Sequence, residues 1–293
     1  MKFRKPIIIA TAILFFAVLG LCIFLTVRNS ELNEENSSLK AAYEELSERT
    51  VEYDEISGVY SSQGVDIVSK PESKGTVGDE ESKPRLKKVY LTFDDGPSGY
   101  TDDILDILDA HGVKGTFFVL TKEGKFADEA YKRIADEGHT LGLHSSSHKY
   151  HEIYASVEAF RNDIRTQQEY LYDLTGVWPR IYRFPGGSSN RVSPTPIRDL
   201  IACLNEEGIE YFDWNIVSGD AIKGTLSVKA IVSNCTKNID KYDECVILMH
   251  DSLDRYTTVK ALDEVITIIE NRGDCQILPI TDETVPVQHI TIQ

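Results

Sequence analysis

Residues 89–97 read VYLTFDDGP. Four β-favouring or apolar residues and Phe93 run into two adjacent carboxylates, Asp94 and Asp95, and Gly96-Pro97 stops the run. Such a run reads as a buried strand bounded by a turn. Two like charges side by side at its end are costly unless a cation lies between them or one is kept for proton transfer. Taken alone, the pair also reads as ordinary turn formers beside Gly96-Pro97.

Working outward from that strand, short apolar runs alternate with amphipathic stretches. Strands are expected over 88–93, 115–120, 140–143, 180–184, 210–217, 245–250 and 276–280. TDDILDILDAHG predicts a helix with Thr101 as cap, acids in its first turn, apolar residues at 104, 105, 107 and 108, and Gly112 as stop. Further helices are expected near 126–137, 154–174, 195–207, 227–240 and 257–272. Seven strands with intervening helices predict an α/β fold, either a parallel barrel or a doubly wound sheet. In both, chemistry collects at the C-terminal ends of the strands. The sequence obeys that rule. The first strand ends at Asp94 and Asp95, the third runs into HSSSH (His144 to His148), the fourth ends RFPGG, the fifth runs FDWNIVSGD, and the sixth ends LMH at His250.

His-x-x-x-His brings two imidazoles together on one helical face or around a tight loop, which suits one metal ion. A carboxylate from Asp94 or Asp95 completes a His2Asp set. Adjacent side chains at a strand end diverge, so one aspartate binds the metal while its neighbour acts as base.

TFDDGP, HSSSH, RFPGG, SGD and LMH, in that order and spacing, closely resemble the motifs of the polysaccharide deacetylases, carbohydrate esterase family 4 or the NodB homology domain, over residues 85–282. The resemblance implies a distorted (β/α)7 barrel and metal-dependent hydrolysis of N-acetyl groups on cell-wall or chitin-like glycans. It further implies Asp94 as catalytic base, and Asp95, His144 and His148 as metal ligands. By the same resemblance Arg183 is expected to orient the base, His250 to be the general acid, Asp220 to hold His250, and Leu248 to wall the acetyl pocket. Two positions depart from the family pattern. Gly186 stands where a tyrosine is common, so an oxyanion donor there is a backbone N–H, and Ala221 stands where a tryptophan often follows the aspartate. Both point to a more open pocket.

Each residue also has a plainer reading. Arg183 and Asp220 suit a structural ion pair, and Leu248 and His250 suit a core. Trp178 and Trp214 suit packing, although an exposed tryptophan stacks on sugar; Trp214 is carried forward as a substrate contact. His111 and His139 flank helix ends and read as capping or solvent residues. His151 is out of register with the metal motif, and His289 lies beyond the last strand.

The remaining sequence bounds location and partners. The net charge of -16 over 293 residues argues against nucleic acid and anionic lipid surfaces. Pro6 to Val27 carries no charge, long enough at ~1.5 Å per residue to span the ~30 Å hydrocarbon layer, and Lys2, Arg4 and Lys5 precede it. Residues 1–28 therefore read as a basic tail and single-pass membrane anchor with the remainder extracytoplasmic; a cleaved signal peptide is the competing reading. Leu32, Leu39, Leu46 and Tyr53 recur every seventh residue, but the intervening core positions Asn36, Tyr43 and Thr50 are poor. Residues 29–56 are thus expected as a helical stalk suited to weak self-association, 57–84 as a flexible linker, 85–282 as the catalytic domain and 283–293 as a tail. Cys203, Cys235, Cys245 and Cys275 form up to two disulfides or stay as buried thiols. Zinc is the default ion for the His2Asp set, with cobalt or another divalent ion also fitting. The expected substrate is an N-acetylglucosamine polymer, peptidoglycan or chitin-like. The alternatives are an O-acetyl esterase of the same fold and a non-catalytic glycan-binding domain.

Overall fold

A computed structural model describes residues 86–221 and 226–292. The anchor, stalk and linker expected before residue 85 lie outside the described residues. Among those described, no helix is long and apolar enough to cross a membrane.

The elements run β1 (Lys87–Asp94), α1 (Thr101–Ala110), β2 (Thr116–Leu120), α2 (Lys125–Asp136), β3 (Thr140–Ser145), α3 (Tyr150–Ile153), α4 (Val157–Thr175), β4 (Ile181–Tyr182), α5 (Ile197–Glu206), β5 (Glu210–Tyr211), β6 (Ile216–Val217), α6 (Val228–Thr236), a 3-10 turn (Ile239–Lys241), β7 (Glu244–His250), α7 (Tyr256–Asn271) and β8 (Cys275–Ile277). The strands form one parallel, curled half-barrel in the order β5-β4-β3-β2-β1-β7-β6, with β8 also on β1. Helices cover its outer face, the arrangement that buries both faces of a parallel sheet.

Alternation along the strands decides which side chains enter the barrel. In β1, Val89, Leu91 and Phe93 join the large core against the helices, while Tyr90 joins a smaller inner cluster with Phe118, Ile181, Phe212, Val246 and Ile280. Thr92 and Asp94 follow Tyr90 at steps of two and therefore point inward. In β7 the same count from Val246 turns Leu248 and His250 inward. The register sets Asp94 opposite His250 on one side and Phe118 on the other.

The strand expected over 210–217 is two short strands. Its middle, Phe212 to Asn215, crosses the gap in the half-barrel: the Phe212 N–H donates to Tyr182 O on β4 (2.9 Å) and the Asn215 N–H to Val246 O on β7 (3.2 Å). A mostly apolar, β-favouring run, even one interrupted by Asp213 and Asn215, does not reveal that it changes partner strands. The described cysteines are all free, with Cys203, Cys235 and Cys245 buried, so no disulfide links them. His139, expected as a capping or solvent residue at a helix end, is buried; its Nδ1 accepts the Gly115 N–H (3.0 Å), and burial pushes its pKa down to about 4. Residues 283–292 fold back on the barrel, with the Asp213 N–H donating to Val287 O (2.7 Å) and the Tyr211 hydroxyl bonded to Ile290 O.

Candidate active site

The chain leaves β1 through a left-handed residue, Asp95, at φ 73°. His148 is the other non-glycine residue with positive φ among those described, at 56°. Such conformations cost on the order of 1–3 kcal/mol each and need surrounding support. Asp95 has it from the Lys122 ammonium, which donates to Asp95 O (2.8 Å) and Pro97 O (2.9 Å), and from Phe118 O, which accepts the Asp95 N–H (3.2 Å). At His148 the HSSSH segment is a loop rather than a helix. Ser145 Oγ accepts the N–H groups of Ser147 (3.1 Å) and His148 (2.9 Å), while Asp163 accepts that of Ser146 (3.0 Å).

These two strained turns bring Asp95 Oδ1 to 3.5 Å from Nε2 of both His144 and His148. The three candidate ligand atoms lie within 4.8 Å of one another. His144 Nδ1 donates to Arg183 O (2.7 Å), which fixes the tautomer and leaves the Nε2 lone pair facing Asp95. Asp95 Oδ1 is buried with no hydrogen-bond partner among the described residues. An orphaned carboxylate oxygen facing two imidazole nitrogens fits a divalent cation better than a closed hydrogen-bond network. Burial raises the Asp95 pKa, but the electrostatic influence of His148, His250, His144 and Lys122 outweighs it and holds the carboxyl at about 2.

Asp94 lies beside this set, its Oδ2 3.9 Å from His144 Nε2. Its Oδ1 accepts from Arg183 Nη1 (2.8 Å). Arg183 is fully buried and its fork is spoken for: Nη1 also donates to Thr92 Oγ1 (2.6 Å), Nε to Phe212 O (2.9 Å) and Nη2 to Asp213 O (3.0 Å), with the guanidinium 4.1 Å above the Phe118 ring. A positioned cation therefore fixes the direction of the Asp94 carboxylate.

Across the site, His250 Nδ1 donates to Asp220 Oδ1 (2.7 Å). Asp220 Oδ2 accepts the His250 N–H (2.9 Å) and the Thr258 hydroxyl (2.9 Å). Burial lowers the His250 pKa, but the charge and hydrogen bond of Asp220, with Asp95 and Asp94 behind, raise it to about 10. Burial likewise raises Asp220, yet His250 and the bonds around it bring the net shift below the usual carboxylate value. Arg183 and Asp220 thus pair with Asp94 and His250, not with each other.

Gly96 shows why the loop after Asp95 tolerates no side chain: a Cβ there would lie 2.4 Å from Asp251 Oδ2. Asp251 is itself buried and accepts from Ser98 Oγ (2.5 Å) and Thr101 Oγ1 (2.6 Å).

The model of the family described as "Polysaccharide deacetylase" matches residues 81–200. A putative polysaccharide deacetylase of Bacillus subtilis, YheN, is 31% identical over 92% of both chains. The chain belongs to the polysaccharide deacetylase family. It is also 35% identical to a peptidoglycan-N-acetylglucosamine deacetylase of Bacillus cereus over 56% of this chain, spanning 60% of that protein's length. The catalytic domain of a peptidoglycan N-acetylglucosamine deacetylase from Eubacterium rectale superposes with TM-score 0.67 and 34% identity, over 74% of this chain and 98% of that one. The curled parallel sheet is consistent with the (β/α)7 barrel of this deacetylase family.

In this deacetylase fold the expected residues Asp94, Asp95, His144, His148, Arg183, Asp220 and His250 converge. Leu248 is buried on β7 two positions before His250. Gly186 and Gly187 turn the chain after Arg183 with φ of 77° and 78°, and Trp214 packs on Gly187, where a Cβ would meet its ring at 2.9 Å. Trp178 lies elsewhere, edge-on to Tyr172 at 5.7 Å, and the His151 side chain is exposed. Lys122, Thr92, Thr258 and Asp213 support the site without having stood out in the sequence. The inward alternation from Tyr90 was the available signal for Thr92; the others are single polar residues with no local pattern.

Proposed function

We propose that this chain is a membrane-anchored, extracytoplasmic N-deacetylase that removes acetyl groups from N-acetylglucosamine residues of peptidoglycan with one divalent ion, zinc by preference. The observation that carries the reading is Asp95 Oδ1, orphaned between His144 and His148 and flanked by an arginine-held carboxylate and an aspartate-held imidazole. Asp95, His144 and His148 would hold the ion. When bound it supplies Lewis acidity toward a carbonyl and a water.

The chain's own groups supply the proton transfers. Asp94, aimed by Arg183, accepts a proton from the attacking water. His250, kept protonated well above neutral pH by Asp220, delivers a proton to the nitrogen of the departing amine. The products are acetate and a free glucosamine. The names of the Bacillus cereus and Eubacterium rectale relatives support peptidoglycan as substrate, and the uncharged Pro6 to Val27 segment supports the anchor.

The test is mass spectrometry of muropeptides incubated with the full chain in detergent and zinc. Loss of acetyl from glucosamine supports the proposal. Acetate release from acetylated xylan alone makes the chain an O-acetyl esterase, and metal binding without release from either makes it a binding domain. For location, protease added to intact cells should shed a fragment cut between about Ser57 and Lys83; a mature chain beginning after Val27 would overturn the anchor.

A further inference from the structure

The Asp213 carboxylate is fully buried, and among the described residues no lysine or arginine pairs with it. Its hydrogen bonds come from uncharged donors: Oδ1 takes the Ser188 N–H (2.8 Å), and Oδ2 takes the Ser188 hydroxyl (2.5 Å) and the His289 backbone N–H (2.8 Å), while the His289 ring nitrogen Nδ1 stands 3.8 Å from Oδ1. Ser188 Oγ in turn accepts the Ile290 N–H (3.1 Å). His289 closes the knot from outside, with Nε2 2.7 Å from Trp214 O and its ring edge-on to Trp214 at 5.1 Å. One carboxylate therefore ties together the loop after Arg183, the segment crossing the half-barrel gap, and the C-terminal end of the chain. A buried carboxylate is an expensive way to join three loops, since apolar packing does so without desolvating a charge.

The backbone of the same residue faces the catalytic side. Asp213 O and Phe212 O accept two of the four hydrogen bonds that orient the Arg183 guanidinium, whose remaining bonds go to Thr92 and Asp94. The direction of the base is thus fixed through Arg183 by residues 212–213, and 213 is fixed by the C-terminal segment. We infer that Asp213 is a positioning residue through which residues 287–290 hold Arg183, and thereby Asp94, in the working geometry. Its carboxylate bonds Ser188 and the His289 backbone, not Asp95, His144 or His148. The C-terminal segment, beyond the residues matched by the family model, is on this inference a working part of the site.

The inference rests on the deacetylase reading, and its test separates the two. Asp213→Asn keeps the acceptor for the Ser188 N–H but turns an amide toward the His289 N–H. In the full chain, kcat on chitooligosaccharide should fall roughly ten- to a hundredfold, as for a displaced catalytic group, with KM within about twofold. One metal ion per chain should remain. Ser188→Ala should follow it, and Ser188→Thr, which keeps the hydroxyl, should recover the rate. In an Arg183→Ala background Asp213→Asn should change kcat by less than about twofold, because the route runs through Arg183. Equal fold-losses in both backgrounds would overturn the inference. A readout without substrate decides it even if no acetate is released. With 15N-labelled arginine, the Arg183 Nε–H should be protected from solvent exchange in the parent chain and exposed in Asp213→Asn, and unchanged protection would overturn the inference as well.

Discussion

His250 Nδ1 and Asp220 Oδ1 stand 2.7 Å apart, with the second Asp220 oxygen held by the His250 backbone and Thr258. On the proposed mechanism the pair ties an imidazolium to a carboxylate where the departing amine would take its proton. Because the folded pKa of His250 is raised to about 10, above the ordinary ~6.5, the group is charged at neutral pH. The alkaline limb of kcat should accordingly lie well above pH 7. Asp220→Asn removes the principal source of the shift and should move that limb down toward the ordinary histidine range. A limb that stays in place would show that another group sets it.

Asp94 and Asp95 are neighbours of one chemical type that should fail differently. Asp95→Asn replaces the anionic member of the ligand set, so metal stoichiometry and turnover should fall together, with partial recovery at high zinc. Asp94→Asn should keep the ion and lose the proton acceptor, a loss of roughly 10²–10⁴ in rate. Elemental analysis beside steady-state kinetics separates them. Retention of the ion by Asp95→Asn and its loss by Asp94→Asn would exchange the two roles.

Gly96→Ala tests the loop between them. The added methyl meets the Asp251 carboxylate at 2.4 Å, and Asp251 is pinned by Ser98 and Thr101, so the loop must move instead. A loss of about 1–3 kcal/mol in stability is expected, the usual range for overpacking, together with weaker metal binding because Asp95 shifts with the loop. Thermal melts with and without zinc measure both; unchanged zinc stabilisation would show that Asp95 does not follow Gly96.

The site was more legible in the sequence than the scaffold that holds it. The candidate ligands, base and acid sit in short motifs at strand ends, where a polar residue after an apolar run stands out, and HSSSH and TFDDGP each bring their polar groups within a few residues. The support does not. Lys122 reaches Asp95 O and Pro97 O from the loop after β2, and a lone lysine has no pattern. Asp213 lies inside a β-favouring stretch that reads as one strand, yet it sits in the crossing between two. His139 flanks the end of the helix expected over 126–137, a place that reads as capping or solvent, but the chain enters β3 at once and draws the ring against Phe117. Residues 283–292 have no periodicity because side-chain and loop hydrogen bonds, rather than a ladder or a helix, hold them.

His111 offers a pH test of stability away from the metal. It caps α1, with Nδ1 3.0 Å from Glu270 and Nε2 3.1 Å from Asp263, both on α7. Burial lowers its pKa, but the hydrogen bonds and charges of Asp263 and Glu270 outweigh that and raise it above 6.5. The helix C-terminus favours the same charged form. A folded pKa above the unfolded one means that the protonated ring binds the fold more tightly. Its contribution is complete below about pH 6.5 and is lost as pH rises through the folded value. His111→Gln should therefore lower Tm more at pH 5.5 than at pH 9, and the difference should shrink in high salt because Asp263 is exposed. An equal loss at both pH values would show that the ring joins α1 to α7 by packing rather than by charge.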